Sequence, residues 1–226
     1  QSHGTDLRLN LPIDKVERRL FDQGISWSKS PNSKNFIRIN SGLRKILSSQ
    51  IHLSGKVFVQ NRAAGAVVEI LNPKPSETIL DVCAAPGTKS IYIFRKMNQS
   101  GNLFASDINS SQVAKSFKRC NELELSIDWK VKDATKDIFP MADRILIDAP
   151  CTGTGVISRN PDIKWRKDSK DTDKMSAYQI KILFHISKFL KNNGVIVYAT
   201  CSMENQENWN VIDSFLKLNS NYKLES

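Results

Sequence analysis

The chain has 226 residues, of which 40% are hydrophobic and 25% charged, and its formal net charge is +10. This length suits one α/β domain with an appendage, and the positive charge favours a polyanionic partner such as nucleic acid, although a generally basic, lysine-rich composition would also account for it. The four cysteines include no Cys-x-x-Cys pair and the three histidines are scattered, so the composition excludes a disulfide framework and a zinc site.

The first 60 residues predict a small accessory element ahead of the main fold. A helix is predicted over residues 10–24, where Ile13, Val16 and Leu20 share one face, and a strand is predicted over residues 36–40. Residues 41–60 show no regular period. Residues 1–60 hold ten Lys/Arg and four Asp/Glu, so much of the positive charge lies in this element.

From residue 61 onward, apolar strands and amphipathic helices alternate. The predicted helices cover residues 62–71, 88–97, 110–123, 173–191 and 205–218. The predicted strands cover residues 78–83, 102–107, 127–132, 143–148 and 194–200. This alternation is typical of βαβ units, and right-handed crossovers then predict an α/β fold with a doubly wound, mostly parallel sheet over residues 61–226.

The first strand of this predicted sheet ends in a turn of small residues. After Asp81 and Val82 come Cys83, Ala84, Ala85, Pro86, Gly87, Thr88 and Lys89. Small residues leave the backbone open to a ligand, and the helix N-terminus that follows favours a negative group. The glycine pattern of dinucleotide-binding proteins is absent, and an ordinary tight turn accounts for the segment equally well.

Two carboxylates follow the next two predicted strands. Asp107 ends the second strand and Asp133 follows the third, so both lie around one predicted crevice. A carboxylate at the end of the second strand of such a fold commonly accepts hydrogen bonds from ribose hydroxyls. For Asp107 the alternative is a helix N-cap, a position for which Asn109 competes.

Two cysteines lie just past the ends of apolar strands. Cys151 follows Asp148 at the end of the fourth strand, and Cys201 follows the fifth. If these strands are neighbours, both thiols open into one cleft, which favours a thiol nucleophile. The residue pattern does not decide which thiol attacks, and a regulatory disulfide between them is disfavoured in a reducing compartment. Cys83 and Cys120 are interpreted as small buried hydrophobic residues.

A basic segment separates the last two strands. Residues 159–191 hold nine Lys/Arg and four Asp, and Trp165 lies in its first part. The positive charges suit contacts to single-stranded or flipped RNA nucleotides. For Trp165 itself we favour packing onto the core over base stacking.

Three of these signatures together resemble the RNA cytosine-C5 methyltransferase family, the bacterial RsmB/Fmu and eukaryotic NOL/NSUN group. They are residues 81–89, residues 148–151 with their Thr/Gly tail, and residues 199–204 followed by Glu207 and Asn208. Residues 36–40 are similar to the family's Arg-x-Asn strand. Residues 160–165 most resemble the RsmB-type branch, which acts on small-subunit ribosomal RNA.

The resemblance implies a Rossmann-like fold that uses S-adenosylmethionine to form 5-methylcytosine in 16S ribosomal RNA. It implies that Cys201 is the nucleophile that adds to C6 of cytosine, that Cys151 helps to release the product, and that Asp148 faces the target base. It assigns Asp107 to the ribose of the cofactor and Asp133 to the adenine. The implied cofactor contacts are Cys83, Ala84, Ala85, Pro86, Gly87, Thr88, Lys89, Asp107, Asp133 and Asp148.

The expected partner is RNA, ribosomal RNA before transfer RNA, with an unpaired or flipped cytosine. We expect residues 1–60 to form a reduced RNA-binding element, and the protein to be a cytoplasmic monomer with reduced thiols, no metal and no membrane segment. Thr88 departs from the family's usual second glycine, and only about twenty residues separate Asn40 from Gln60. An RNA-binding or ribosome-assembly protein with an inactive methyltransferase fold is the alternative, against which Asp148, Cys151 and Cys201 argue.

Overall fold

The computed structural model describes residues 4–30, 33–156 and 169–225, and its strands form two sheets. The strands are β1 (Thr5–Leu9), β2 (Ser26–Lys29), β3 (Phe36–Ser41), β4 (Val57–Val59), β5 (Thr78–Val82), β6 (Asn102–Asp107), β7 (Asp128–Val131), β8 (Ala142–Asp148) and β9 (Leu190–Ala199). The α-helices are α1 (Asp14–Asp22), α2 (Leu43–Leu47), α3 (Gln50–Leu53), α4 (Arg62–Leu71), α5 (Thr88–Lys96), α6 (Ser110–Glu122), α7 (Ser169–Ile186) and α8 (Trp209–Leu218). Among these described helices, none combines the length and apolarity needed to cross a membrane.

The first sheet is antiparallel, with strand order β2-β3-β1-β4. Apolar side chains of β1 and β3 pack with Val16 and Leu20 of α1 in a small separate core. Residues 41–60, for which the sequence predicted no element, contain α2, α3 and β4. These elements have three to five residues each, too few for a hydrophobic period to show in the sequence.

Strand β1 was also missed by the sequence analysis. Its charged residues Asp6 and Arg8 are buried, which is rare for such side chains unless they are paired. Asp6 binds Arg38 of β3 and Arg62 of α4, so its partners come from positions far along the chain. A buried ion pair of this kind is invisible in the local sequence pattern.

The second sheet is parallel, with strand order β7-β6-β5-β8-β9. Helices cover both faces: one core contains side chains of α4, α5 and α6, and the other contains side chains of α7 and α8. The predicted α/β fold with a doubly wound parallel sheet is therefore confirmed. In such a sheet the carboxyl ends of the strands share one edge, where ligands bind next to the point at which the strand order reverses. Here β5 and β8 flank that point.

The predicted helix over residues 173–191 ends five residues early in the structure. Helix α7 stops at Ile186, a short 3₁₀ turn follows, and β9 begins at Leu190. Leu190 pairs with Ala142 of β8, so strand pairing replaces the helical conformation that the apolar spacing favoured.

A buried arginine connects the two sheets. The guanidinium of Arg8 lies over the rings of Tyr92 and Phe58, at 4.3 and 4.8 Å from their centroids. It donates hydrogen bonds to Gln60 Oε1 at 2.6 Å and to the carbonyl oxygen of Thr88, the first residue of α5, at 3.1 Å. Burial lowers the pKa of Arg8 to about 9. The first sheet is thus tied directly to the helix that starts beside the turn of small residues.

Candidate active site

Cys151 and Cys201 lie side by side at the carboxyl edge of the parallel sheet. β8 and β9 are neighbours with Asp148 opposite Ala199, so the segments that leave these strands run alongside each other. The two Sγ atoms are 2.8 Å apart, and the backbone N–H of Cys201 donates to Cys151 Sγ at 3.2 Å. The strands are therefore the neighbours that a shared cleft requires, and both thiols are free and reachable from it.

The two thiols differ in acidity. The hydrogen bond from Cys151 lowers the pKa of Cys201 to about 7, although burial acts in the opposite direction. The same hydrogen bond, together with burial, raises the pKa of Cys151 above the ordinary range of a thiol. The contact therefore favours the thiolate at Cys201 and the proton at Cys151. The thiolate is the nucleophilic form of a cysteine, so the direction of the two shifts makes Cys201 the candidate nucleophile.

Glu207 joins the segment after Cys151 to the segment after Cys201. Its fully buried carboxylate accepts hydrogen bonds from the N–H of Thr152 at 2.9 Å, from the Thr152 hydroxyl, and from Gln179 Nε2 at 2.9 Å. Burial alone would raise the pKa of Glu207, but the hydrogen bonds donated to its carboxylate hold that pKa below its usual value. The side chain is therefore an anionic anchor that positions the residue next to Cys151.

Asn208 shapes the loop that carries Cys201. Its side-chain amide bonds to three groups of that loop at 2.7–3.0 Å, the carbonyl oxygens of Ser202 and Glu204 and the hydroxyl of Thr200. Asn208 itself has the non-helical angles φ −118° and ψ −99°, so α8 begins only at Trp209. The predicted helix over residues 205–218 was therefore wrong in its first turn, where a 3₁₀ turn (Asn205–Glu207) precedes this break.

The roles of these polar residues were missed by the sequence analysis. Glu207 and Asn208 were recognised within a signature without a role, and Gln179 was not singled out. Gln179 lies on α7 and is fully buried, and it also donates to the carbonyl oxygen of Pro150 at 2.8 Å. For Glu207, the sequence offered one signal, its short distance along the chain from Cys201. For Gln179 it offered none, because the burial of this side chain depends on how α7 packs.

Asp148 and Lys89 form an ion pair inside the same cleft. Lys89 lies in the first turn of α5 and Asp148 ends β8, so the pair joins the turn after β5 to the strand that leads to Cys151. The Asp148 side chain is 30% exposed and the Lys89 side chain 18% exposed. Both groups were predicted at the site, and the structure brings them into direct contact while leaving the carboxylate accessible.

The turn over residues 83–89 has a backbone that few sequences could adopt. Cys83 and Gly87 are both left-handed, with φ of 59° and 89°. A Cβ atom on Gly87 would lie 3.0 Å from the ring of Trp129, so a larger residue there would meet both strain and a close contact. Burial raises the pKa of Cys83 to about 12, so this thiol stays protonated. Cys83 is thus a packing residue whose backbone shapes the turn.

Asp81 is a further site residue that the sequence analysis did not select. It lies inside β5, is fully buried, and accepts a hydrogen bond from Ser90 Oγ at 2.7 Å. Its other oxygen, Oδ1, has no hydrogen-bond partner among the described residues. Burial raises the pKa of Asp81 to about 7. An unsatisfied buried acceptor just below the turn is unusual and suits a ligand that brings a donor.

Asp107 and Asp133 lie at the carboxyl ends of adjacent strands. Asp107 accepts hydrogen bonds from the N–H of Ala85 at 3.2 Å and of Asn109 at 2.9 Å. Asn109, and not Asp107, caps α6, so the competition for the N-cap is decided. Asp133 accepts from the N–H and the hydroxyl of Thr135 at 2.9 and 2.7 Å, which are local turn contacts. Asp107 is thus held against the turn after β5, whereas the observed contacts of Asp133 lie within its own loop.

The predicted basic loop is only partly described. Trp165 and residues 159–167 lie outside the described residues, so the structure does not test whether Trp165 packs onto the core.

A sequence model of the family described as 16S rRNA methyltransferase RsmB/F matches residues 68–226. The chain is 35% identical over 221 residues to the probable ribosomal RNA small subunit methyltransferase B of Bacillus subtilis (strain 168). It is 38% identical over 215 residues to ribosomal RNA small subunit methyltransferase B of Photorhabdus laumondii. Each match covers 93% of this chain, but 48% and 50% of the two relatives. The chain therefore spans about half the length of the curated relatives it matches.

Two solved structures from Pyrococcus horikoshii resemble the whole described chain. One, a methyltransferase homolog protein, has a TM-score of 0.83 and 25% identity, and the match covers 96% of this chain and 70% of that chain. The other, NSun6 with SFG, has a TM-score of 0.88 and 18% identity, and the match covers 99% of this chain and 82% of that chain. At this level of identity the second likeness shows the fold alone. Both matches extend over the two sheets.

Proposed function

The chain belongs to the 16S rRNA methyltransferase RsmB/F family, and on that premise we propose that it transfers a methyl group from S-adenosylmethionine to carbon 5 of a cytosine in 16S ribosomal RNA. The chain spans about half of its curated relatives, so its own activity and substrate are part of the proposal. The observation that carries it is the pair of thiols, Cys151 and Cys201, 2.8 Å apart at the carboxyl edge of a parallel sheet.

The residues at the ends of β5 and β6 suit S-adenosylmethionine. The unpartnered oxygen of Asp81 retains its capacity to accept a hydrogen bond, and the turn over residues 83–89 leaves space for close approach. Asp107 then suits the ribose hydroxyls and Asp133 the adenine edge, with Asp148 near the reacting end. When bound, the cofactor supplies an electrophilic methyl group on a sulfonium.

The thiol pair provides what methylation at C5 of cytosine requires. Carbon 5 is a poor nucleophile until the Cys201 thiolate adds to C6 and makes C5 enamine-like. Protonation or hydrogen bonding at N3 of the base stabilises this adduct, and Asp148 with its partner Lys89 is proposed to supply the proton or the hydrogen bond. Once C5 has taken the methyl group, a base removes the C5 proton and the electrons of that C–H bond re-form the C5–C6 double bond. Cys201 leaves as a thiolate, and the protonated thiol of Cys151 donates a hydrogen bond to it. This division of labour follows from the opposite pKa shifts of the two cysteines.

The cleft can receive only a base that has left the helical stack. C6 of a stacked cytosine is inaccessible to a side-chain thiol, so the target is proposed to be unpaired or flipped out. We propose that residues 61–226 form the catalytic domain and that residues 1–60 form the accessory element that contacts RNA. The protein is proposed to act as a cytoplasmic monomer with reduced thiols.

Transfer of tritium from labelled S-adenosylmethionine into deproteinised ribosomal and transfer RNA tests the reaction. The wild type and Cys120→Ala are expected to label 5-methylcytosine in 16S ribosomal RNA, whereas Cys201→Ala is expected to label nothing. Cys120 is the matched control because it is a buried cysteine outside the cleft. Label found only in transfer RNA would show that ribosomal RNA is not the substrate, whereas the proposed methylation of cytosine C5 would stand.

Trapping with RNA that contains 5-fluorocytosine tests the nucleophile separately. In this RNA, fluorine replaces the C5 hydrogen, so a base has no proton to remove from C5 and the thiolate cannot be eliminated. The adduct between Cys201 and RNA should therefore accumulate and survive denaturing electrophoresis. An adduct that persists in Cys201→Ala would show that Cys201 is not the nucleophile. Cofactor binding with neither label nor adduct would favour an RNA-binding protein with an inactive fold.

A further inference from the structure

A long groove separates the first sheet from the last turn of α5. Its larger part has a volume of about 1110 Å³ and lies between the segment after β1, the segment joining β2 to β3, and the end of α5. A smaller part, of about 260 Å³, continues along α1 toward β4. Leu11 and Pro12 line both parts, so the two parts adjoin at these residues.

Among the charged residues that line these two parts, which together we call the basic groove, positive charges outnumber negative ones. The larger part is lined by Lys29, Lys34, Arg95 and Lys96. The smaller part is lined by Lys15, Arg19 and Lys56. Among the described lining residues Asp14 is the single carboxylate, so the local charge is strongly positive and the remaining polar lining is mainly Asn, Gln and Ser.

Most of these cations are not neutralised by the protein. Among the described residues, the ion pairs include Lys96 with Glu69 at 2.7 Å, but none that involves Lys15, Lys29 or Lys34. Arg95 carries a buried Nε that has no hydrogen-bond partner there. Like charges placed along one concave surface repel each other, and a bound polyanion relieves that repulsion. The groove therefore has the electrostatics of a phosphate-binding surface.

The basic groove lies away from the thiols. Helix α5 begins at Thr88, beside the turn of small residues, and ends at Lys96, which lines the groove. Eight residues of α-helix span about 12 Å, so one end of α5 faces the cleft and the other faces the groove. A small anion bound in the groove could not reach Cys201. A polymer, in contrast, could lie in the cleft beside Cys201 and in the basic groove at the same time.

The lining also indicates how such a polymer is contacted. The aromatic residues of the groove, Phe36 and Tyr92, are almost fully buried in the core between the two sheets. Without exposed rings on which bases stack, the contacts fall on phosphates, which position a nucleic acid without specifying its sequence.

We propose that the basic groove binds the phosphate backbone of RNA outside the target nucleotide and serves as a second anchor for the substrate. The identity of the polymer as RNA rests on the proposed function. The anchor explains how a short first sheet contributes to substrate binding although it contributes no residue to the thiol pair.

The test is direct binding of a fluorescein-labelled, unstructured 24-nucleotide RNA, measured by anisotropy across a salt series with the full chain. The variant Lys15→Glu/Lys29→Glu/Lys34→Glu changes three exposed groove residues. The matched control, Lys115→Glu/Lys118→Glu/Lys217→Glu, makes the same charge change at exposed lysines of α6 and α8. A neutral variant, Lys15→Gln/Lys29→Gln/Lys34→Gln, and thermal unfolding of every protein separate lost contacts from lost folding.

The groove variant is expected to bind about 10- to 100-fold more weakly at 50 mM salt, with a salt slope reduced by about 2, as for three lost contacts to single-stranded RNA. The control is expected to change affinity several-fold less. Equal losses in both triple variants, or no loss in the groove variant, would overturn the proposal. Displacement of RNA by polyglutamate at equal charge would assign the groove to an acidic protein and also overturn it. Because binding is read without methyl transfer, failure here is distinct from failure of the proposed reaction.

Discussion

The Sγ atoms of Cys151 and Cys201 lie 2.8 Å apart although fifty residues separate them in the chain. Their proximity follows from the parallel pairing of β8 with β9, which brings the two strand ends to one edge. At this distance one thiol donates a hydrogen bond and the other accepts it, so the pair shares its protons unequally. The two thiols of the cleft are therefore not equivalent, since the pKa of Cys201 is lowered and that of Cys151 is raised.

The pH dependence of alkylation should reveal this asymmetry. The rate at which iodoacetamide modifies Cys201 is expected to rise through a midpoint near pH 7, because the thiolate is the reactive form and its pKa is lowered to about 7. In Cys151→Ala the midpoint should move upward, since the largest cause of the lowering is gone. Mass spectrometry of the modified peptide measures both. Cys151→Ser, which keeps a donor, should lie in between, and an unchanged midpoint in Cys151→Ala would contradict the assigned hydrogen bond.

Replacement of Glu207 should disturb the same midpoint from a distance. Glu207→Gln keeps the shape but removes the negative charge that three donors stabilise, and it places an NH₂ group where Oε2 accepts from the Thr152 hydroxyl. We expect a loss of about 1–3 kcal/mol in the free energy of unfolding and an upward shift of the Cys201 alkylation midpoint, because the loop after Cys151 is no longer held. Urea unfolding and alkylation measure the two effects.

Glu204→Gln is the matched control for Glu207, since Glu204 lies in the same loop and its carboxylate has no hydrogen-bond partner among the described contacts. It should leave the midpoint unchanged. A Glu207→Gln protein that is destabilised but keeps a midpoint near pH 7 would restrict Glu207 to a structural role.

Gly65→Ala should destabilise the contact between the first sheet and α4. Alanine usually stabilises a helix relative to glycine by about 1 kcal/mol. Here its Cβ would lie 2.2 Å from Cζ of Phe36, whose ring is buried, so we expect a net loss of about 1–3 kcal/mol. Phe36→Leu should reduce that loss in the double variant. Thermal unfolding of the wild type, the two single variants and the double variant gives the coupling free energy between the two positions. Purely additive effects on stability would disprove the close contact.

Asp81 should make stability depend on pH between about 4 and 7. Its pKa is raised by burial from 3.8 to about 7, so over this range the folded protein holds a proton that the unfolded chain has released. The free energy of unfolding therefore falls as pH rises, by at most about 1.4 kcal/mol per pH unit from this group. Asp81→Asn removes this contribution and should be less sensitive to pH.

Urea unfolding at pH 5 and pH 8 compares the wild type with Asp81→Asn. Asp213→Asn, a change at an exposed aspartate of α8, is the control and should follow the wild type. Parallel pH dependence in the wild type and Asp81→Asn would show that Asp81 does not hold this proton.

Local patterns were sufficient for most of the parallel sheet. The predicted helix over residues 62–71 has the bounds of α4, and the strands at residues 78–83 and 102–107 agree with β5 and β6 to within one residue. Apolar runs bounded by Asn, Pro or Gly identify such elements because their burial and their ends are both local properties. The family recognised from three signatures is also confirmed, by the match over residues 68–226.

Local patterns failed where a charged side chain is buried by a distant partner. No strand was predicted where Asp6 and Arg8 lie, and Glu207 lay in a predicted helix, yet all three are buried. Their partners are 28 to 80 residues away along the chain. No spacing rule detects such contacts, because the free energy that permits burial comes from groups that only the fold brings close.

The sequence by itself determined which residues stand at the strand ends: the small residues after β5, Asp107, Asp148 and the two cysteines. The tertiary structure decided the direction in which the pKa of each thiol is shifted, because each pKa depends on a hydrogen bond between segments that leave two neighbouring strands. It also decided where the positive charge gathers, since the basic groove combines lysines of the first sheet with the far end of α5. Residue type and hydrophobic period can be read from the local sequence. The pKa of a thiol and the local charge of a surface depend instead on distances between segments that are far apart in the chain.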